Sequence, residues 1–175
     1  MQQGLIHIYC GDGKGKTTAC IGLAVRAAGR DFKVLLTQFL KGSPSGELMS
    51  LAKIPNIEVL RGKICTKFTF QMTPEEKAET LAGHLELFAK IEEKIKNEQI
   101  DMLILDEMMA AVNTGLFPLD RLIKFLKNKP AGLEVIMSGR EPKQELIDLA
   151  DYVSEVKMIK HPYTKGIGAR DGVER

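Results

Sequence analysis

The sequence has few cysteines, no excess of one charge and no long apolar run. Its three cysteines form no CxxC pair, so neither a disulfide framework nor a zinc site is expected, and a reducing cytoplasm fits best. The 25 Lys and Arg residues against 23 Asp and Glu give a net charge of +2, which disfavours a general nucleic-acid surface. No apolar stretch approaches the ~20 residues that span a bilayer, and the N-terminus has no signal-peptide pattern. We therefore expect a cytoplasmic protein with no membrane or nucleic-acid partner.

The chain has the size and composition of one globular domain. It has 175 residues, of which 44% are hydrophobic and 27% are charged, and we expect a single domain over residues 1–175. Apolar runs typical of buried strands alternate with segments typical of helices, which predicts an α/β fold with a mostly parallel sheet and helices on both faces. The predicted strands are 4–10, 33–39, 57–60, 102–105, 133–137 and 152–159, and the predicted helices are 18–28, 74–95, 118–126 and 141–150.

The longest predicted helix has the clearest start signal. Thr73 can cap it, Pro74 suits its first position, and Glu76 completes a capping box. One of its faces is apolar, and we expect that face to be buried. The face comprises Ala78, Leu81, Leu85, Phe88, Ile91 and Ile95.

A glycine-rich loop joins the first predicted strand to the first predicted helix. Its glycines let successive N–H groups turn towards phosphate oxygens, and the following helix adds the positive end of its dipole. Lys16 can reach the phosphates, and Thr17 offers a hydroxyl to magnesium, as the P-loop pattern requires. Cys10 stands where the strict pattern has glycine, and a glycine-rich turn with solvated lysines is the alternative. The loop residues are Gly11, Asp12, Gly13, Lys14, Gly15, Lys16, Thr17 and Thr18.

An acidic pair follows the predicted strand 102–105. Asp106 and Glu107 would lie at the carboxyl edge of a parallel sheet, which faces the ligand crevice beside the phosphate loop. Carboxylates there suit magnesium, although an acidic pair can also simply end a strand in solvent. Two arginines are less specific signals. Arg140, at another strand end, either faces the crevice or is solvated, and Arg26 lies on the first predicted helix.

With these motifs placed, the chain resembles the P-loop type of ATP:corrinoid adenosyltransferase, also called cob(I)alamin or cob(I)yrinic acid a,c-diamide adenosyltransferase. The resemblance spans nearly the full length and implies a P-loop NTPase-like, RecA-like fold. The matching segments are 11–18, Gln38 to Gly42, Phe68 to Phe70, Leu105 to Glu107, Ser138 to Arg140, Asp148 to Asp151, Val153 to Glu155, Gly166 to Ala169 and Gly172 to Glu174.

The resemblance implies an enzyme that binds ATP with Mg²⁺ and transfers the 5′-deoxyadenosyl group to cobalt(I), releasing triphosphate. In the family the nucleotide lies reversed in the loop relative to ordinary P-loop ATPases. By position, residues 11–17 would grip the triphosphate and Arg26 would lie near the nucleoside. Thr17 and Glu107 would hold magnesium, with Asp106 beside them. Cobalt(I) is itself a strong nucleophile, so alignment and charge neutralisation are the protein's tasks, and Lys16 and Lys14 are the expected catalytic cations.

The corrinoid site is expected at Phe68 and Phe70, where the family places aromatic residues that help to displace the lower axial ligand. Core packing is the alternative for these phenylalanines, but their polar surroundings favour the corrinoid. Phe70 replaces a tryptophan that is usual in the family, and Arg170 replaces a glutamine. The chain begins almost at its first predicted strand, so we expect no N-terminal extension over the site. A flavoprotein-type reductase and a second copy of the chain in a homodimer are the implied partners.

Two other functions fit the phosphate loop alone. A small P-loop kinase or ATPase would act at the γ-phosphate, and a non-catalytic regulatory module would bind nucleotide without turnover. Neither accounts for the aromatic segment or for the glycine-containing tail. The reaction product distinguishes the three, because they would yield triphosphate, ADP or nothing.

Overall fold

A computed structural model describes residues 3–42, 45–62, 67 and 69–174. Its centre is a six-stranded sheet with the order β3-β2-β4-β5-β1-β6, in which every neighbouring pair is parallel. All strands therefore end at one edge, which gathers the loops that follow them. The strands are Ile6–Cys10 (β1), Val34–Gln38 (β2), Ile57–Arg61 (β3), Met102–Asp106 (β4), Glu134–Ser138 (β5) and Tyr152–Glu155 (β6).

Helices cover both faces of this sheet, which confirms the predicted fold class. The buried residues form two clusters, because successive residues of a strand point to opposite faces. On β4, Leu103 and Leu105 join Phe88 and other residues on one face, while Ile104 joins Cys20 of α1 on the other. The helices are Lys16–Ala28 (α1), Gly46–Leu51 (α2), Pro74–Asn97 (α3), Met108–Asn113 (α4), Leu119–Asn128 (α5) and Gln144–Leu149 (α6). Among the described residues, no helix is long and apolar enough to cross a membrane.

Helix α3 begins as its sequence predicts and buries Phe88 and Ile91 of the expected face, but the rest of its buried face differs. The amide of Glu76 donates to Thr73 Oγ1 at 3.2 Å, and the amide of Thr73 donates to Glu76 Oε2 at 2.9 Å, which completes the capping box. Ala78 is exposed, whereas the polar residues Thr80 and His84 are buried. The expected apolar face was wrong at these positions, because hydrogen bonds allow both polar side chains to lie inside.

Several element boundaries also differ from the expectations. The six-residue helices α2 and α4 were not expected, and β6 ends at Glu155 although a strand to residue 159 was expected. A 3₁₀ turn, Thr69–Gln71, precedes α3, and another, Pro162–Lys165, lies in the tail. The segment that follows β6 lies against the loop that follows β1.

Candidate functional site

The loop between β1 and α1 turns tightly against the segment that follows β6. The amide of Gly13 donates to the carbonyl of Val156 at 2.8 Å, and a Cβ added at Gly13 would lie 2.8 Å from the same oxygen. Gly15, immediately before α1, has a φ of 117°, which favours glycine. These glycines let the backbone lie close to its neighbour and then enter the helix. The loop therefore presents its amides and the start of α1 at one end of a cavity.

This cavity, of about 690 Å³, lies at the carboxyl edge of the sheet. Four cationic side chains line it: Lys14, Lys16, Lys41 and Arg140. Thr17, Thr18, Glu107, the first turn of α2 and residues 172–174 of the tail line it as well. A cavity with loop amides and clustered cations can hold a polyphosphate, since both kinds of group stabilise phosphate oxygens.

The loop lysines both contact protein oxygen atoms. Lys16 Nζ donates to the carbonyl of Gly13 at 2.7 Å, and burial lowers the pKa of this ammonium although nearby Glu107 raises it. Lys14 Nζ forms an ion pair with Glu174 Oε1 at 2.9 Å, and Arg170 donates to the same carboxylate. Glu174 therefore links the tail to the phosphate loop. Both lysines can exchange these partners for phosphate oxygens without rearranging the sheet.

Asp106, at the end of β4, is the centre of a buried polar cluster. Its side chain is only 1% exposed, and three other parts of the fold contact it. Thr17 Oγ1 of α1 donates to Oδ1 at 2.9 Å, and Ser138 Oγ of β5 donates to the same oxygen at 2.6 Å. Lys41 Nζ, from the loop after β2, donates to Oδ2 at 2.7 Å. The prediction that Asp106 lies beside the phosphate loop agrees with this arrangement.

Glu107 lies next to this cluster in a left-handed backbone conformation, with a φ of 60°. Its amide donates to Ser138 Oγ at 3.0 Å, and its side chain lines the cavity. Burial raises the pKa of Glu107, and the charge of Asp106 raises it further, while Lys41 and Lys16 oppose the shift. A cation that enters the cavity would stabilise the ionised form of this carboxylate.

The donor set around Thr17 fits magnesium. Thr17 Oγ1 and Asp106 Oδ1 are 2.9 Å apart, close to the ~3 Å edge of an octahedron with magnesium–oxygen distances of about 2.1 Å. Gln38 Oε1 is buried with no hydrogen-bond partner among the described residues, so it can accept from a metal-bound water. Residues 3–42, 45–62, 67 and 69–174 hold no group of three or more His, Cys, Asp or Glu that could bind a metal. Magnesium would therefore need phosphate and water oxygens too, which is its usual preference.

Not all the predicted site residues lie at the cavity. Arg26 is exposed in the last turn of α1, about 15 Å along the helix axis from Lys16. Its predicted place near the nucleoside stays a prediction. Phe68 lies outside the described residues. Phe70 lies in the 3₁₀ turn and is 80% exposed, so core packing, the alternative for this residue, is excluded.

Several residues that the structure places at this site had no individual role predicted for them. Lys41, Gln38 and Ser138 contact Asp106, Glu47 of α2 contacts Gln38, and Glu174 contacts Lys14. Four of the five belong to segments that carry the family resemblance, the exception being Glu47. That membership was the available signal, but it assigned no contact.

Comparisons with known proteins show the family of the chain. The family model described as ATP:corrinoid adenosyltransferase BtuR/CobO/CobP matches residues 2–175. The corrinoid adenosyltransferase of Escherichia coli K12 is 33% identical over 99% of this chain and 86% of its own length. The enzyme named CobA from Salmonella typhimurium LT2 is 34% identical over the same shares. The solved cytoplasmic domain of EssC aligns with a TM-score of 0.55 at 19% identity, over 95% of this chain and 34% of that one, which supports the fold alone.

Proposed function

Since the chain belongs to the ATP:corrinoid adenosyltransferase family, whose members transfer adenosyl from ATP to the cobalt of a corrinoid, we propose that this chain does so with inorganic triphosphate as its leaving group. The observation that carries the proposal is that Lys14, Lys16, Lys41 and Arg140 line the same cavity as the phosphate loop. A leaving triphosphate develops negative charge as the bond between its oxygen and the 5′-carbon breaks. Preorganised cations stabilise that charge most in a partly buried site.

The phosphate-binding roles follow from position. Residues 11–17, through loop amides other than that of Gly13, and the Lys16 ammonium would hold the triphosphate, with Lys14 and Arg140 at its periphery. Lys16 would exchange the Gly13 carbonyl, 2.7 Å away, for a phosphate oxygen. Lys14 would likewise exchange Glu174. The charged end of the nucleotide then fixes where the 5′-carbon lies, which is the alignment that an in-line displacement needs.

Magnesium would be held by Thr17 and Glu107, with Asp106 beside them, and would neutralise further charge on the triphosphate. Thr17 donates its hydroxyl proton to Asp106 and accepts from the Lys41 ammonium at 3.1 Å, so its oxygen lone pairs already face a cation. Arg26 near the nucleoside remains part of the proposal, although its present position is distant from the cavity.

The corrinoid would bind against Phe70 and Phe68. The exposure of Phe70 supports this, because a large ring that is 80% exposed can pack on a flat macrocycle. The cobalt(I) nucleophile must be generated from a more oxidised cobalt, so an electron donor of the flavoprotein type is proposed as a partner. A cytoplasmic location, one domain over residues 1–175 and a homodimer complete the proposal.

The test is product analysis with Mg²⁺, ATP and chemically reduced cobalamin. We expect one inorganic triphosphate for each adenosylated corrinoid, measured by ³¹P NMR and by the change in the corrinoid spectrum. ADP and phosphate as stoichiometric products would instead indicate action at the γ-phosphate. The half-buried, cavity-lining Glu107 is the group that would serve such hydrolysis, so Glu107→Gln is the matched variant for any ADP that forms.

A further inference from the structure

The Lys41 ammonium lies between the two groups that the proposed function gives to magnesium. Its Nζ is 2.7 Å from Asp106 Oδ2 and 3.1 Å from Thr17 Oγ1. The same carboxylate accepts from Thr17, so the ammonium, the hydroxyl and the carboxylate form a closed triangle of contacts. The Lys41 ammonium, a monovalent cation, therefore lies beside Asp106, where this carboxylate would otherwise neutralise the divalent magnesium ion.

Backbone contacts on both sides of Lys41 position its side chain beside Asp106. The amide of Phe39 donates to the carbonyl of Asp106 at 3.0 Å, which joins the end of β2 to the end of β4. Leu40 then takes a left-handed conformation, with a φ of 58°, and Arg61 donates to the Lys41 carbonyl. Because a left-handed non-glycine residue costs free energy, the surrounding contacts must maintain the turn. The position of Lys41 is therefore a specified feature of the fold.

The two partners differ in their access to solvent. The Asp106 side chain is 1% exposed and the Lys41 side chain is 29% exposed. A buried carboxylate needs a nearby cation, since an unpaired buried charge is costly, whereas a half-exposed ammonium can leave for water or for a phosphate. Lys41 also lines the cavity, so its ammonium can reach a triphosphate that binds there.

We propose that Lys41 is a tethered counter-cation that exchanges with magnesium: its ammonium neutralises Asp106 when no metal is bound, and it moves to the triphosphate when magnesium enters beside Thr17. This inference rests on the proposed magnesium site. It assigns Lys41 two successive partners, and it makes metal binding and triphosphate binding support each other. A permanent structural ion pair with Asp106 would give Lys41 one partner only and would not couple metal binding to triphosphate binding.

The exchange is tested by Mn²⁺ binding without nucleotide, with free Mn²⁺ measured from its EPR signal. Lys41→Met keeps an apolar stem but removes the competing charge, so it should bind Mn²⁺ about tenfold more tightly than the unmodified protein. Lys14→Met is the matched control, because it removes the same charge from the same cavity but not from Asp106. Its affinity should change by less than about threefold.

Thermal melting gives a second measurement. Lys41→Met should melt at a lower temperature without metal, because Asp106 loses its counter-charge, and Mn²⁺ should raise that temperature by more than it does in the unmodified protein. If Lys41→Met does not fold, Lys41→Gln keeps a donor and should show the same differences. In an Asp106→Asn background, Lys41→Gln should no longer tighten Mn²⁺ binding.

The outcomes separate this inference from the proposed function. Equal Mn²⁺ affinities for the unmodified protein and both Lys41 variants would overturn the exchange but leave the magnesium site intact. Absence of Mn²⁺ binding in all proteins, even with inorganic triphosphate added, would overturn the site and the exchange together. An equally large increase in affinity in Lys14→Met would also overturn the exchange, since it would reduce the effect to general charge repulsion.

Discussion

The two ends of the parallel sheet both gather charged side chains, but these side chains bind different partners. At the amino end, Glu134 accepts from the Leu5 amide at 2.8 Å, and Lys129 donates to the Gly4 and Leu133 carbonyls at 2.6 and 2.9 Å. At the carboxyl end, the carboxylate of Asp106 accepts only from side chains in the described part of the chain: Thr17, Gln38, Lys41 and Ser138.

The difference separates structural charge from functional charge. At the amino end, the bonded backbone groups lie beside β1 and β5, so no ligand can replace their side-chain partners without loosening a strand. A side chain bonded to another side chain can rotate away and leave the backbone intact. Gln38 Oε1, which has no hydrogen-bond partner among the described residues, also lies at the carboxyl end, where a ligand or its water would donate to it. Substitutions at the two ends should therefore fail in different assays.

The largest effect is expected for Lys16→Ala at the carboxyl end. Loss of one preorganised cation at the leaving triphosphate should lower kcat by about 10²–10³, by analogy with removal of one oxyanion donor. The melting temperature should hardly change, because Lys16 donates only to a loop carbonyl. Steady-state kinetics and a melting curve on the same sample make the measurement. Near-normal kcat would show that Lys16 does not contact the triphosphate.

At the amino end the reverse result is expected. Glu134→Ala leaves the Leu5 amide and the His7 ring without their carboxylate partner, which should cost about 1–3 kcal/mol of unfolding free energy. The kcat of the folded protein should stay unchanged, because the hydrogen-bond partners of the Glu134 side chain in the described part of the chain, Leu5 and His7, lie away from the cavity. Glu134→Gln keeps an acceptor oxygen and is the matched control, with a smaller loss of stability. A fall in kcat without a fall in stability would break the comparison between the ends.

Local patterns predicted one part of the carboxyl end and missed another. The loop 11–18 and the pair after β4 were predicted because each motif is contiguous and its chemistry is specific. The contacts of Lys41 and Ser138 were not, because they depend on strand order: β5 lies between β1 and β4, and β2 lies on the other side of β4. Strand order is a property of distant pairings, which a single sequence does not encode locally.

The same limit explains the errors in the helices. The apolar face of α3 was inferred from apolar residues alone, but Thr80 and His84 are buried because the structure supplies their hydrogen-bond partners. Helices α2 and α4 have six residues each, less than two turns, so they give too few repeats for a period to appear. Tertiary contacts, and not the local pattern, decide such elements.

A third region, the 3₁₀ turn with Phe70, belongs to neither end and should behave as a ligand surface. Phe70→Ala should lower activity about tenfold when the corrinoid starts as cobalt(II) with a weak reductant. It should lower activity much less with cobalt(I) generated beforehand, because that route bypasses the displaced-ligand intermediate. ATP affinity and melting temperature should stay nearly constant, since the ring is 80% exposed.

Phe88→Ala is the matched control for Phe70→Ala. Phe88 is fully buried in the core, so its truncation should cost about 3–5 kcal/mol and depress both assays together. If Phe70→Ala shows that same pattern, the corrinoid is not recognised at this turn.

The smallest effect concerns His84, which lies near the carboxyl end but is bonded to the backbone. Its Nδ1 donates to the Leu116 carbonyl at 2.9 Å, and its Nε2 accepts from the Leu40 amide at 3.4 Å, so the ring must be neutral. Burial lowers the pKa of His84, and the hydrogen bond to Leu116 only partly offsets this. Because the unfolded chain then binds the proton more readily, stability is complete above the ordinary pKa of about 6.5 and is lost as the pH falls below it.

If the distinction between backbone-bonded and exchangeable groups holds, His84 should therefore be structural despite its place beside Leu40 and Lys41. Urea unfolding at pH 7.5 and pH 5.5 should show a decline in unfolding free energy of up to about 1.4 kcal/mol for the single pH unit below 6.5. His84→Gln, which cannot take the proton, should start lower but decline less, while other titrating groups contribute equally to both proteins. Equal declines would mean that protonation of His84 does not oppose folding. The turn at Leu40 would then not depend on the neutral form of this ring.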